Sequence, residues 1–229
     1  MSLPATKPFE LNLLYRDDSM VLVDKPANML SVPGKGEKGK FCVSNEVQVQ
    51  FPDAKVVHRL DMATSGVMLF ALGKENQVNL NKQFEQRNVE KVYDAVVKGH
   101  IAAALGGVNI PLMSDWPNRP KQKVCYREGK QAMTRFRCLS FDNSLSGNKD
   151  SSERRSSPIT RVELMPVTGR SHQLRMHMLA IGHPIIGDEF YACEEALAMS
   201  SRLLLHAREL TVTHPATGRR IEITAPTPF

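Results

Sequence analysis

The apolar run at residues 67–72 is the feature that most constrains the fold, because it is the longest in the sequence. Its length is that of a buried strand and is far too short for a helix that crosses a bilayer. A polar segment follows at residues 74–87, in which Leu80 and Phe84 have the i, i+4 spacing of one helix face. The sequence therefore predicts a buried strand followed by an amphipathic helix.

Other apolar and alternating segments predict a sheet of several strands. The predicted strands lie at residues 11–15, 20–23, 66–72, 91–98, 133–141, 161–164, 209–214 and 219–224. The first two form a hairpin around Asp17, and Pro26 ends its second strand. Short helices are predicted at residues 44–50 and 171–181, the second with Ser171 as N-cap and Gly182 as its end. Because strands and helices do not alternate regularly, the predicted class is α+β, with a mixed, largely antiparallel central sheet and flanking helices and loops.

Charge and composition indicate a protein that meets a polyanion. The chain has 229 residues and a net charge of +6, which favours a nucleic acid or an acidic membrane surface as partner. Residues 1–10 contain no signal-peptide hydrophobic region and no segment could span a bilayer, so we expect a cytoplasmic protein without membrane attachment. The histidines and cysteines lack the spacing of metal ligands, and no metal is expected.

Two polar stretches stand apart from the predicted sheet. Residues 142–158 are rich in serine, asparagine and charge, and predict an exposed, mobile insert loop. Residues 118–130 include Arg119, Lys121 and Lys123, with Tyr126 within the stretch and Trp116 just before it. Basic residues beside aromatic ones suit single-stranded RNA, whose phosphates need cations and whose bases stack. A solvated charged hairpin is the alternative interpretation.

Asp61 is the first residue whose position suggests chemistry. It lies in the polar segment at residues 58–66, where a loop meets the predicted buried strand, so a rigid element could hold its carboxylate in a cleft. The alternative is an ordinary turn, in which aspartate, threonine and serine bond the local backbone.

Residues 168–175 open the predicted helix at 171–181 and form a second candidate. A helix start offers free N–H groups to an anion, and Arg170 would strengthen that site. The spacing of His172 and Arg175 places them on one helix face, and an inward arginine needs an acidic partner. Asp61 could be that partner and would then be held ionised and oriented. An ordinary basic helix is the alternative.

Tyr93, two residues after Lys91, is the third candidate. Its ring could pack against a planar base and its hydroxyl could form a hydrogen bond. Half-buried strand tyrosines are also common as purely structural residues.

At these residues the sequence resembles the RluA-type pseudouridine synthases. The segment HRLDMATSG at residues 58–66 is similar to the family signature HRLDxxTSG. Three further motifs of the family resemble residues 11–26, residues 91–93 with 98–100, and residues 168–175. The four similarities follow the family order and cover nearly the whole chain. They imply a mixed sheet around a central cleft and one catalytic domain over residues 1–229, without the N-terminal S4-like domain of many members.

The resemblance also implies roles for individual residues. Asp61 corresponds to the catalytic aspartate, Arg175 to the arginine that pairs with it, and Tyr93 to the tyrosine that stacks on the target base. Arg59 corresponds to the arginine that takes the place of the flipped uridine in the RNA stack. The remaining residues expected to bind substrate are His58, Lys91, Arg170, His172, Arg119, Lys121 and Lys123.

Residues 115–123 further resemble a dual-specificity member of the family, which implies 23S ribosomal RNA and the tRNA anticodon stem-loop as substrates. The reaction breaks the N1–C1′ bond and joins C5 to C1′, so no cofactor is required. No protein partner is implied, and we expect a monomer. Asp61 could act as nucleophile or remove a sugar proton. A non-catalytic RNA-binding protein and an aspartate-dependent hydrolase are the alternative functions. Asn28 stands where the family often has glycine, and asparagine tolerates positive φ, so the turn can survive.

Overall fold

A ten-stranded sheet organises the part of the chain described by this computed structural model, which covers residues 11–142 and 157–229 apart from the side chains of residues 37 and 38. The strands are β1 (Leu13–Arg16), β2 (Met20–Lys25), β3 (Ala54–Val56), β4 (Ser65–Leu72), β5 (Glu90–Lys98), β6 (Leu105–Asn109), β7 (Leu112–Ser114), β8 (Gln122–Val124), β9 (Met133–Asp142), β10 (Ile159–Pro166), β11 (Leu205–Thr213) and β12 (Arg220–Thr224). The α-helices are α1 (Val43–Gln50), α2 (Lys74–Glu85), α3 (Gln173–Ala180) and α4 (Glu194–Ala198), and short 3₁₀ turns lie at Glu37–Lys40 and Trp116–Asn118. The insert loop expected at residues 142–158 lies largely outside the described residues.

The sheet is mixed but largely antiparallel, as predicted. Its strands follow the order β1-β2-β4-β11-β5-β10-β9-β6, with β3 paired to β4 and β12 paired to β11. Within the described ranges β4 and β11 form its parallel pair, and the other neighbours are antiparallel. The α+β class is therefore confirmed.

Strand β4 is buried on both faces. Val67, Leu69 and Ala71 pack with Leu80 of α2 on one face. Met68 and Phe70 pack on the other face with residues of α1. The strand is continuously apolar because a helix covers each of its sides.

The two halves of the sheet meet where β4 pairs with β11. The register there joins Ser65 to His206 and Gly66 to Ala207. Gly66 has a φ of 114°, and a Cβ added to it would lie 2.2 Å from the Ala207 carbonyl oxygen. Only glycine fits this backbone approach, which lies just beyond the loop that carries Asp61.

The other half of the sheet carries α3 on one face. Tyr93, Ala95 and Val97 of β5 lie on the same side, as their alternation predicts, and pack in one cluster with Leu174 and Met178 of α3. This packing fixes α3 above β5, so the start of the helix lies beside Tyr93.

Strands β7 and β8 form a separate two-stranded sheet, which we call the basic hairpin (residues 112–124). Leu112 and Val124 of the hairpin pack against Met176 and Leu179 of α3 and against Tyr191. The hairpin is therefore docked on the same helix that carries Arg175. A charged hairpin was the alternative interpretation of residues 118–130, but its strands were not located from the sequence. Strands β3 and β6 and helix α4 were not predicted either, because each is short and has little apolar periodicity.

Helix α3 begins at Gln173, so the prediction of Ser171 as its N-cap is wrong. The N-cap is His172, in a left-handed conformation with φ 51°. The Gln173 side chain causes the difference, because its Oε1 accepts hydrogen bonds from the Thr168 hydroxyl (2.6 Å) and the Arg170 N–H (3.0 Å). This holds residues 168–172 in a bend before the helix. Gly182, with φ 86°, follows the end of the helix as predicted.

Candidate active site

Two cavities meet at Asp61. The larger, of about 630 Å³, lies between the loop before β4, the start of β5 and residues 166–175, and the smaller, of about 390 Å³, lies on the side of the basic hairpin. Both are lined by Arg59, Leu60, Asp61, His172 and Arg175. A ligand in either cavity would therefore contact the same carboxylate.

The Asp61 carboxylate faces two nitrogen donors. Its Oδ2 lies 4.0 Å from Nη1 of Arg175 and 3.9 Å from Nε2 of His172. The Asp61 side chain is 24% exposed, whereas those of Arg175 and His172 are 3% and 7% exposed. A partly exposed carboxylate with a buried cation behind it can react with a ligand while its orientation is held.

The loop that carries Asp61 is held in place by a buried polar side chain. The Lys25 ammonium donates hydrogen bonds to the carbonyls of Pro26 (2.8 Å), Met29 (2.7 Å) and Met62 (3.0 Å). Burial lowers the pKa of Lys25 to about 7, although the charge of Asp61 acts against that shift. In the sequence analysis Lys25 fell only within the family similarity at residues 11–26, so its support of the Asp61 loop was missed.

Arg175 has a second carboxylate partner that was not found from the sequence. Its Nε donates to Oδ2 of Asp188 at 2.7 Å and its Nη2 to Oδ1 at 2.5 Å, so Asp188 is the bidentate partner. Asp188 is 1% exposed, and its Oδ1 also accepts the backbone N–H groups of Phe190 (2.9 Å) and Tyr191 (3.1 Å). Arg175 thus lies between two carboxylates. The partner expected from the sequence, Asp61, is the more distant of the two. No periodicity or motif marked Asp188 in the sequence.

His172 is held by Tyr191. Its Nδ1 lies 2.7 Å from the Tyr191 hydroxyl, which also accepts the backbone N–H of Gln122 at 2.8 Å. Burial lowers the pKa of His172, so its imidazole is neutral at neutral pH. A neutral histidine beside Asp61 can donate a hydrogen bond without adding a second positive charge.

His58 lines the larger cavity, but its ring is held by contacts within the protein. Its Nε2 accepts the backbone N–H of Leu69 at 2.9 Å, and its ring stacks on Phe84 with centroids 4.8 Å apart. Burial lowers the pKa of His58 to about 3. It therefore contributes a neutral aromatic wall to the cavity.

Tyr93, Lys91 and Arg170 also line the larger cavity. Burial and the nearby charge of Asp61 raise the pKa of Tyr93, which keeps its hydroxyl protonated. Burial lowers the pKa of Lys91. The Arg170 side chain, at the rim, donates from Nε to the Gln131 carbonyl at 3.1 Å. The cavity thus combines an aromatic ring, a carboxylate and several cations.

Arg119, Lys121 and Lys123 lie on the basic hairpin and not among the residues that line the larger cavity. The Arg119 guanidinium stacks over the Trp116 ring at 4.3 Å, and Lys123 lies 3.4 Å from Asp115. Pro120 lines the smaller cavity, which connects the hairpin to Asp61. The hairpin therefore borders the smaller cavity and does not line the larger one.

Residues 11–142 and 157–229 contain no group of three or more histidine, cysteine, aspartate or glutamate side chains that could hold a metal ion. The helices in these ranges are all too short or too polar to cross a membrane.

A family model, curated proteins and a solved structure that match this chain are all of the same kind. The family model for RNA pseudouridylate synthase matches residues 19–180. The dual-specificity RNA pseudouridine synthase RluA of Escherichia coli (strain K12) is 50% identical over 228 residues, which cover 99% of this chain and 97% of that protein. The protein of the same name from Yersinia pestis is 52% identical over 206 residues, covering 90% of this chain and 94% of the relative. The solved structure of human RNA pseudouridylate synthase domain containing 1 is similar with a TM-score of 0.77 and 26% identity, over 96% of this chain and 84% of the human one.

Proposed function

Because this chain belongs to the RNA pseudouridylate synthase family and is an RNA pseudouridine synthase, we propose that it isomerises uridines in both 23S ribosomal RNA and tRNA anticodon stem-loops. The observation that carries the site assignment is the partly exposed Asp61 carboxylate between two cavities, with Arg175 behind it. The names of the relatives from E. coli and Y. pestis describe dual-specificity enzymes, which supports activity on more than one RNA. The resemblance of residues 115–123 to a dual-specificity member of the family implies that these are 23S ribosomal RNA and the tRNA anticodon stem-loop.

The reaction exchanges one bond to the sugar for another. The N1–C1′ bond breaks, the uracil rotates, C5 bonds to C1′, and the proton lost from C5 is balanced by a proton gained at N1. The substrate itself supplies every atom, so the proposed reaction uses no cofactor. Asp61 either attacks the sugar or removes a sugar proton, and both routes need an ionised, oriented carboxylate.

The target base must leave the RNA stack before Asp61 can reach its sugar, which costs about a few kcal/mol. The larger cavity receives the base, and the half-buried ring of Tyr93 packs against it. Arg59, which is exposed at the junction of both cavities, fills the space that the base leaves in the RNA. His58 forms part of the wall behind the base.

Cations around the cleft hold the RNA backbone. Lys91 and Arg170 line the larger cavity, and the basic hairpin extends this positive surface beyond the smaller one. We propose that Arg119, Lys121 and Lys123 bind phosphates there, and that the exposed Trp116 stacks on an unpaired base. We further propose that the enzyme acts as a cytoplasmic monomer, with recognition coming from the catalytic domain.

The test is modification mapping. Purified protein is incubated without cofactors with unmodified 23S rRNA and with total unmodified tRNA, and pseudouridine is located by carbodiimide-stop sequencing. We expect new sites in both RNAs with wild type and with Asp53→Asn, a control at an exposed carboxylate. Asp61→Asn should bind RNA with unchanged affinity and form no pseudouridine.

The outcomes separate the parts of the proposal. Sites in only one RNA would contradict dual specificity and leave the chemistry intact. Normal turnover by Asp61→Asn would refute the assignment of the catalytic carboxylate.

A further inference from the structure

A chain of hydrogen bonds links the basic hairpin to the neighbourhood of Asp61. Its first bond is from the Gln122 backbone N–H, in β8, to the Tyr191 hydroxyl at 2.8 Å. Its second joins that hydroxyl to Nδ1 of His172 at 2.7 Å, and the opposite ring nitrogen, Nε2, lies 3.9 Å from Asp61 Oδ2. The bonded groups are Gln122, Tyr191 and His172, and the last of them faces the carboxylate.

The donors and acceptors favour one assignment of protons in this chain. The Gln122 N–H can only donate, so the Tyr191 oxygen accepts there and its own proton is free for His172 Nδ1. If Nδ1 accepts, the proton of the neutral imidazole is on Nε2, which is the nitrogen that faces Asp61. Tyr191 is only 9% exposed, and a buried hydroxyl proton requires an acceptor.

Tyr191 also contacts the other donor that faces Asp61. The Arg175 guanidinium carbon lies 5.1 Å from the centroid of the Tyr191 ring and 5.0 Å from that of Phe190. The same ring packs in one cluster with Leu112 of the hairpin and Met176 of α3. One side chain therefore contacts the hairpin, the helix and both partners of Asp61.

We propose that Tyr191 is a positioning residue that couples the basic hairpin to the catalytic centre, by holding His172 with its Nε2–H directed at Asp61. The coupling to turnover rests on the proposed function, because it assumes that Asp61 is catalytic and that the hairpin binds RNA. A shift of β8 on RNA binding moves Gln122, and Tyr191 carries that shift to His172. The uncoupled alternative is that Tyr191 only fills space under the hairpin.

The titration of His172 can report on its hydrogen bond with Tyr191. Burial is the largest cause of its lowered pKa, and donation from Tyr191 to Nδ1 favours the neutral form in the same direction. The charged groups that act on His172 come from the loop before β4, from α3 and from the segment after it, and they are Asp61, Arg59, Arg175 and Asp188. Removing the Tyr191 hydroxyl changes none of those charges, so any change in the titration of His172 reports on the lost hydrogen bond.

The experiment compares wild type, Tyr191→Phe and Tyr126→Phe. Tyr126 is a matched control, because it follows β8 on the hairpin side and is 78% exposed. In the RNA-free protein, ¹⁵N spectra of the imidazole nitrogens, assigned with His172→Gln, should show Nδ1 as the acceptor in wild type and in Tyr126→Phe. In Tyr191→Phe the Nδ1 resonance should move and His172 should begin to titrate at a higher pH. Identical His172 spectra in wild type and Tyr191→Phe would overturn the proposal.

Two further measurements separate positioning from packing. Trp116 is the one tryptophan of the sequence and lies on the hairpin, so its fluorescence anisotropy should fall in Tyr191→Phe and stay unchanged in Tyr126→Phe. With RNA, Tyr191→Phe should lower kcat by about three- to tenfold, the range for one neutral hydrogen bond, and move the acid limb of the rate profile to higher pH. An unchanged kcat and pH profile would refute the coupling. If wild type formed no pseudouridine, the proposed function would fail, whereas the two RNA-free measurements would still decide whether Tyr191 holds His172.

Discussion

Replacing Asp188 by asparagine tests whether the buried charge chain holds the catalytic centre together. Asp188 and Arg175 are 1% and 3% exposed and share two charge-assisted hydrogen bonds of 2.5 and 2.7 Å. Asparagine keeps the shape and one acceptor oxygen, so backbone N–H groups of Phe190 and Tyr191 retain a partner. The negative charge is lost, and the Arg175 charge remains buried.

The expected magnitude follows from this geometry. Removing one partner of a buried ion pair costs about 3–5 kcal/mol. Asp61, 4.0 Å from Arg175, remains in the variant as a counter-charge, so the guanidinium is not left without any carboxylate partner. We therefore expect the free energy of unfolding to fall by about 3 kcal/mol, at the low end of the range. Arg175 should also move towards Asp61, which lowers kcat by about tenfold or more.

Urea unfolding followed by circular dichroism measures the change, with kcat and KM determined on the same samples. The control is Asp53→Asn, at a carboxylate that is 69% exposed and 3.2 Å from Lys55, where a loss of at most about 1 kcal/mol is expected. A loss as small for Asp188→Asn as for this control would show that Asp188 does not stabilise Arg175. Unchanged kcat would show that the position of Arg175 does not depend on it.

Two further predictions concern stability. His58 has a pKa of about 3 in the folded protein and 6.5 when exposed, so its contribution to the free energy of unfolding is complete above pH 6.5 and is lost as pH falls towards 3. Between pH 7.5 and pH 5, wild type should therefore lose about 2 kcal/mol more than His58→Asn in urea titrations. Equal losses in the two proteins would refute the neutral state of His58. Gly66→Ala should lower the free energy of unfolding by more than about 2 kcal/mol, because a Cβ would meet the Ala207 carbonyl at positive φ. Gly169→Ala, with open space around the added Cβ, is the control for that measurement, and similar losses would contradict the steric argument.

The long elements could be predicted from the sequence, because their patterns reflect their packing. The run that forms β4 is apolar throughout since helices cover both faces, and the alternation of β5 matches the one face that packs with α3. Asn28 has a positive φ of 62°, as expected from the family resemblance, which implies glycine at this position. Short strands such as β7 and β8 were not located from the sequence, because three residues are too few to show a periodicity.

The candidate site was predicted in part. Asp61, Tyr93 and Arg175 do lie together around the larger cavity. Asp188 and Tyr191 were missed because their importance depends on tertiary contacts with residues distant in the chain. The start of α3 was misplaced because the Gln173 side chain, rather than Ser171, bonds the preceding backbone.

The narrow parallel pairing between β4 and β11 has a consequence for assembly of the enzyme. Asp61 comes from the loop before β4, whereas Arg175 comes from α3, which packs on the half of the sheet beyond β11. Either half could acquire its own strands and helices during folding without bringing the two side chains together. In the proposed site the two side chains meet only when the halves dock, so we expect recovery of activity in refolding experiments to report that docking step, whereas recovery of secondary structure should not.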